Sequence, residues 1–213
     1  VTIGFVHTAK AHVDTFDALV HTSSASTRTV HVIAEDLLAR ARHYGQGSDL
    51  LVDVQAAVTQ LAELGADVVV CTCSTLGPIA ERTSSTVPVV RVDRPMAQAA
   101  VSIGTRIAVI AALESTLLPT RVLLTEEAHE AGTSIEIVEI FARNAWREFG
   151  SGNMASYAAQ IAKEARRVSL TVDVVVLAQA SMTEALPLLD DMSTIVLTSP
   201  QLAVETAIAW ASD

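Results

Sequence analysis

The run Asp-Val-Val-Val at residues 67–70 returns at residues 173–176, 106 positions later in a chain of 213. A second pair keeps that offset, because Pro88-Val89-Val90 in the first half faces Thr194-Ile195-Val196 in the second. Short valine-rich stretches match easily by chance, so one pair alone would mean little. Two pairs at one offset point to a duplicated unit that is half the chain long. Around these runs, β-branched segments alternate with segments of helical periodicity. The pattern predicts strands over 2–7, 29–34, 67–72, 87–92, 106–111, 134–140, 172–177 and 194–197. Helices are expected over 14–22, 35–42, 49–64, 78–83, 96–103, 119–131, 153–168, 183–189 and 200–210, with loops over 44–48 and 113–116 and an irregular stretch over 143–152.

Strands that alternate with helices form parallel sheets covered on both faces. The expected fold is therefore α/β, with two pseudo-symmetric, doubly wound parallel-sheet lobes of Rossmann or flavodoxin type. Residues 1–95 with 200–213 would form the N-terminal lobe and residues 96–199 the C-terminal lobe. Ligands of such sheets sit beyond the carboxyl ends of the strands. The loops after His7, Cys73, Ala111 and Gln179 are thus expected to meet at one cleft between the lobes.

Composition narrows the function classes. Half of the residues are hydrophobic and 18% are charged, which excludes a disordered chain. A net charge of −10 without a basic stripe argues against a nucleic-acid partner. No apolar run is long enough to span a bilayer, so no membrane partner is expected. Nothing resembles a signal peptide, and the start at Val1 is read as the loss of an initiator residue. Cys71 and Cys73 are one residue apart on a strand and point to opposite faces, so they should not pair. Free thiols fit a reducing, cytoplasmic setting. A lone Cys-x-Cys, with no histidine clustered near it, makes a poor metal site, and no metal is expected. The surplus of apolar helix surface points to a homo-oligomer.

The predicted strand over 67–72 delivers Cys73 to its carboxyl end, ahead of a polar turn and of a helix that opens near Pro78. Free N–H groups and the dipole of that helix would favour a thiolate and attract a carboxylate. In the duplicate, Cys73 falls opposite Gln179, and this asymmetry is the main functional clue. Other strand-end groups are His7 and Thr8, Ser74 and Thr75, Ser115 and Thr116, and Ser181. Each has a plainer reading. Free cysteine is often a packed core residue, which is the reading preferred for Cys71. The serines and threonines could cap helices, Gln179 could be a satisfied structural amide, and loop histidines more often face solvent than a ligand.

With these motifs in place, the chain resembles the aspartate/glutamate/hydantoin racemase superfamily along essentially its whole length. Cys73-Ser74-Thr75 is similar to the family's first-cysteine motif, and Leu177-Ala178-Gln179 stands where a Leu-Gly-Cys motif carries the second cysteine. The segment 111–115 keeps only the hydroxyl of Ser115 from a carboxylate-binding Gly-Thr-x-x-Thr motif. The resemblance implies a cofactor-independent isomerase that acts at the α-carbon of a small carboxylate-bearing substrate, an amino acid or a hydantoin. Cys73 would be the catalytic thiol, with Gln179 in the place of its partner. His7, Thr8, Ser74, Thr75, Ser115, Thr116 and Ser181 would line the substrate site.

A two-base racemase needs an acid and a base on opposite faces of the α-carbon. Glutamine neither gives nor takes a proton at neutral pH, so the symmetric thiol shuttle lacks one member. Gln179 could instead hydrogen-bond a carboxylate or an enediolate oxygen. The alternatives are a one-cysteine cis–trans isomerase or decarboxylase of the same superfamily, and a non-catalytic protein that clamps a small anion.

Overall fold

Each Asp-Val-Val-Val run becomes an inner strand of a four-stranded parallel sheet in the computed structural model, which describes residues 1–45 and 47–212. The chain divides into two compact units, Val1–Arg94 with Pro200–Asp213, and Pro95–Ser199. In the first unit the strands are β1 (Thr2–His7), β2 (Arg28–Ile33), β3 (Val68–Cys71) and β4 (Val89–Arg91), in the order β2-β1-β3-β4. In the second they are β5 (Arg106–Ala111), β6 (Glu136–Phe141), β7 (Val174–Leu177) and β8 (Ile195–Thr198), in the order β6-β5-β7-β8. The α/β sheet architecture read from the sequence is thus present in each unit.

The duplication extends to register and capping. Ile3 pairs with Val68 in the first sheet, and Ile107 pairs with Val174 in the second. The aspartate that opens each repeated run ties down the start of the neighbouring strand. Asp67 accepts the N–H of Thr2 at 2.8 Å, and Asp173 accepts those of Thr105 and Arg106 at 2.9 and 2.8 Å. The central strands are buried on both faces, which explains why they read as unbroken apolar runs rather than as alternating ones.

In the first unit, helix α1 (His12–Ser23) follows β1, and α2 (Glu35–Tyr44) and α3 (Ser48–Glu63) follow β2. The expected loop over 44–48 contains Gln46, which lies outside the described residues. Helix α3 buries Leu50, Val54, Ala57, Val58 and Leu61, spaced to form one face against the sheet. Leu64 lies beyond the last turn and is exposed. The helix stops because Gly65 adopts φ +85°. That conformation lets the Ala66 N–H reach the Leu61 carbonyl and the Gly65 N–H reach that of Ala62.

Four elements differ from expectation, each for a local reason. The helix after β3 is a single turn, α4 (Gly77–Ala80). Its extension is cut off because the Thr83 hydroxyl takes the Ala80 carbonyl at 2.6 Å, and the Gln55 side chain bonds both backbone groups of Ser84. After α5 (Arg94–Ile103), helix α6 (Glu114–Glu130) starts five residues before Pro119 and absorbs it. Ser115 and Thr116 therefore stand in its first turn rather than in a loop. The stretch 143–152 contains a short helix, α7 (Ala145–Gly150), ahead of α8 (Met154–Ser169). Residues Ala180–Leu188 form a 3₁₀ helix, where Pro187 lacks the N–H that an α-helix would use. The last helix is α9 (Ser199–Trp210).

Helix α8 supplies most of the second core. Tyr157, Ala158, Ile161, Ala162, Ala165 and Val168 face Ala108, Ile110, Val175 and Leu177 of the sheet. Asn153 caps its start by accepting the Ser156 N–H. No helix among the described residues is long and apolar enough to cross a membrane.

Candidate active site

At the carboxyl end of β3 the chain turns sharply. The Cys73 carbonyl accepts the N–H groups of Leu76 and Gly77 at 3.0 and 2.9 Å. This turn curls the backbone around the Cys73 side chain, which receives hydrogen bonds from the Thr8 hydroxyl and from the N–H groups of Thr75 and Leu76. Thr8, Cys73, Ser74 and Thr75 are all buried. The sequence reading expects a helix dipole to favour the thiolate, but a one-turn helix supplies little of it. Burial is the largest influence and pushes the Cys73 thiol above its ordinary range. The three donors act against it, and the Asp93 charge acts with it. The expectation of a depressed pKa is corrected accordingly: the resting group is a thiol with its thiolate contacts already arranged. Cys71 lies within β3, fully buried, and its pKa is pushed up to about 12, first by burial and then by Cys73. Both cysteines are free.

Beneath this turn lies an ion pair that the sequence reading missed. Arg91 and Asp93, 2% and 0% exposed, form a bidentate pair with Nε–Oδ1 at 2.7 Å and Nη2–Oδ2 at 2.9 Å. Glu81, itself paired with Arg94 at 2.5 Å, lies 3.8 Å from Arg91. The guanidinium packs so closely on the turn that a Cβ at Gly77 would stand 2.8 Å from Arg91 Nε. The available signal was an arginine at the end of an apolar strand, with a carboxylate two residues on and so on the same face.

His7 is fully buried, with both ring nitrogens engaged: Nδ1 lies 2.9 Å from Thr72 Oγ1 and Nε2 lies 2.9 Å from His31 Nδ1. This arrangement leaves it no open position for a substrate, so the expected substrate-binding role is not carried forward. Burial, helped by the charges of His31 and His12, lowers its pKa to about 3. The same cause lowers His12 to about 4.

In the second unit the corresponding strand end is built differently. Gln179 is buried, and its Oε1 accepts the N–H groups of Ala112 at 2.6 Å and Leu113 at 3.1 Å. With the oxygen committed there, the group left to offer a ligand is the Nε2 amide. Ser181 stands in the first turn of the 3₁₀ helix, and its Oγ lies 2.7 Å from the Tyr157 hydroxyl. Tyr157, also missed by the sequence reading, is held near pKa 12 by burial. Thr116 is buried in α6, and Ser115 beside it is partly exposed.

Among the described residues no group of three His, Cys, Asp or Glu side chains is placed to hold a metal ion. A surface depression of about 510 Å³ along α6, lined by Leu118, Val122 and His129 among others, contains none of the groups named above.

The family model for Asp/Glu/hydantoin racemases matches residues 4–207. No curated protein matches the sequence. Among solved structures, the aspartate racemase of Picrophilus torridus aligns with a TM-score of 0.80 at 12% identity, over 99% of this chain and 94% of that one. The allantoin racemase of Klebsiella pneumoniae aligns at 0.70 and 18%, over 100% and 88%. The glutamate racemase of Aquifex pyrophilus aligns at 0.65 and 16%, over 98% and 83%. At these identities the structural likeness speaks to the fold.

Proposed function

The chain belongs to the Asp/Glu/hydantoin racemase family, and on that premise we propose a racemase-like enzyme that moves a proton at the α-carbon of a small carboxylate-bearing substrate without a cofactor, using the single thiol of Cys73. The observation that carries this reading is the contrast between two equivalent positions. Cys73 Sγ is surrounded by three hydrogen-bond donors, whereas Gln179 has its oxygen bound to backbone and no proton to exchange.

The chemistry follows from that contrast. The resting Cys73 thiol first gives its proton to solvent; the thiolate takes the α-proton, the bond electrons pass into an enediolate, and the thiol so formed returns the proton to the same face. Thr8 and the N–H groups of Thr75 and Leu76 hold the thiolate during this step. In a dry site such donors are worth more than they are in water. Ser74, Thr75, Ser115, Thr116 and Ser181 are the hydroxyl groups proposed for the carboxylate, with the Gln179 amide donating to an enediolate oxygen. One thiol gives exchange on one face, so configuration is mostly retained.

A second reading rests on the raised pKa of Cys73. A thiol that rests protonated is suited to deliver a proton to a carbanion, as a one-cysteine decarboxylase or cis–trans isomerase of this superfamily requires. Both readings are distinguished from a non-catalytic anion binder by alkylation. Iodoacetamide modification of Cys73 is expected to be slowed by aspartate, glutamate, hydantoin or malonate, and to abolish turnover of the protecting compound. Protection without any turnover of that compound would favour the binder.

A further inference from the structure

Tyr157 stands in the first turn of α8, and Asn153 fixes that turn. The Asn153 carbonyl accepts the Tyr157 N–H at 3.0 Å, and its side chain accepts the Ser156 N–H. The Tyr157 ring is fully buried, with Phe149 packed on it at 5.5 Å. A buried phenol needs a partner for its hydroxyl. Here that partner is Ser181 Oγ at 2.7 Å, two residues after Gln179 in the first turn of the 3₁₀ helix. Ser181 is itself 8% exposed.

Counting donors gives this bond a direction. If Ser181 donated to Tyr157, the phenolic proton would be left in the interior without an acceptor among the described residues. A phenol is also the stronger acid of the two and so the better donor. Burial pushes its pKa up to about 12, so the proton stays in place. Tyr157 therefore donates and Ser181 accepts. The Ser181 proton is then the one without an acceptor among the described residues. The Gln179 amide is in the same position, because its oxygen is bound to the N–H groups of Ala112 and Leu113. The buried side-chain polar atoms sealed without a partner, among the described residues, are Thr120 Oγ1 and Ser199 Oγ. Gln179 Nε2 is not one of them, so it is open to an incoming group. Two nearly buried donors, two residues apart at the carboxyl end of β7, thus lack acceptors that a ligand can supply.

We propose that Tyr157 is a positioning residue: it donates to Ser181 Oγ and so holds the Ser181 proton for a ligand oxygen, with the Gln179 amide as a second donor to the same carboxylate. A hydroxyl that receives one hydrogen bond gives a stronger one, so Tyr157 acts on the ligand through Ser181 without touching it. That the ligand is a carboxylate rests on the function proposed above.

The test joins Raman spectroscopy to malonate binding. Tyr44 and Tyr157 are the two tyrosines of the chain, so Tyr44→Phe leaves the signal of Tyr157 alone. The intensity ratio of the tyrosine ring doublet distinguishes a phenol that donates from one that accepts. The expected result is a donor signature that strengthens when malonate is added and is lost in Ser181→Ala. An acceptor signature, or a donor signature that malonate leaves unmoved, would overturn the proposal. By calorimetry, Ser181→Ala should weaken malonate binding about tenfold or more. Tyr157→Phe should weaken it about threefold, and the double variant no further than Ser181→Ala alone. A Tyr157→Phe loss that persists in the Ser181→Ala background would assign Tyr157 to packing and overturn the proposal, as would malonate that does not bind. Should Tyr157→Phe fail to fold, the Raman measurement decides with Tyr157 intact. Neither readout needs turnover. A chain that binds malonate through Ser181 but exchanges no α-proton contradicts the proposed reaction and leaves the role of Tyr157 standing.

Discussion

Gln179 Oε1 accepts the Ala112 N–H at 2.6 Å, at the strand end equivalent to the one where the Thr8 hydroxyl meets Cys73. Both units thus join the residue after one central strand to the side chain after the next, but only the first does so with a titratable group. Gln179→Ala leaves the N–H groups of Ala112 and Leu113 without this acceptor, and should destabilise the chain by about 1–3 kcal/mol in urea unfolding. Gln179→Glu can accept the same two bonds and should retain most of the stability. It places a negative charge where an anionic substrate is proposed, so turnover should fall about tenfold or more. Equal activity in both variants would remove Gln179 from the site.

Thr8 is the side-chain donor to the Cys73 sulfur. Burial already holds this thiol above its ordinary range, so alkylation should accelerate with pH and reach its half-maximal rate on the alkaline side of a model thiol. Thr8→Val removes a donor that favours the thiolate and should push that profile further up, with slower modification at pH 8. A faster rate in Thr8→Val would mean that the hydroxyl restrains the thiol instead.

Arg91 and Asp93 bury opposite charges under the Cys73 turn. Asp93→Ala takes the bidentate partner from a buried guanidinium, leaving it only the Glu81 carboxylate at 3.8 Å, and should cost about 3–5 kcal/mol. Replacing both partners with apolar residues of similar volume should recover much of that loss. Recovery is the informative outcome, because it separates the charge from the packing. If the double variant restores stability but not activity, the pair serves the shape of the turn.

Stability should fall at both ends of the pH scale. His7 and His12 have pKa values lowered from 6.5 to about 3 and about 4. The unfolded chain binds more protons than the folded one in that interval. Their contribution is complete above about pH 6.5 and is lost as pH drops toward 3. Burial raises Cys71 from 9.0 and Tyr157 from 10.0, each to about 12. Their contribution is complete below the ordinary values and is lost as pH climbs toward 12. Urea midpoints measured from pH 4 to pH 11 should trace a plateau with both shoulders. A flat profile between pH 7 and pH 4 would contradict the buried neutral histidines.

The repeated Asp-Val-Val-Val run made the sheets legible, because a parallel strand buried on both faces must be apolar throughout, and its aspartate is a strand-start cap in both units. Helix lengths were less legible. The stop after Ala80 depends on the Thr83 hydroxyl and on the Gln55 side chain from a distant helix, which no local pattern displays. Cys73 could be found because a strand end is a local feature. His31 and Tyr157 could not, since each is joined to a partner 24 residues away in sequence. His7 was picked out for its position, but whether such a residue faces solvent or the interior depends on packing against Phe5 and Phe16. The thiol's pKa direction also required the structure, because it is a balance between burial and donors that the sequence does not weigh.

The most direct test of the central claim is α-proton exchange in D₂O, followed by NMR on aspartate, glutamate, hydantoins and malonates with the unmodified chain and with Cys73→Ala. One-sided thiol chemistry predicts deuterium incorporation that disappears in the variant, with configuration largely retained in the chiral substrates. Exchange that survives Cys73→Ala, or inversion as fast as exchange, would contradict a single catalytic thiol.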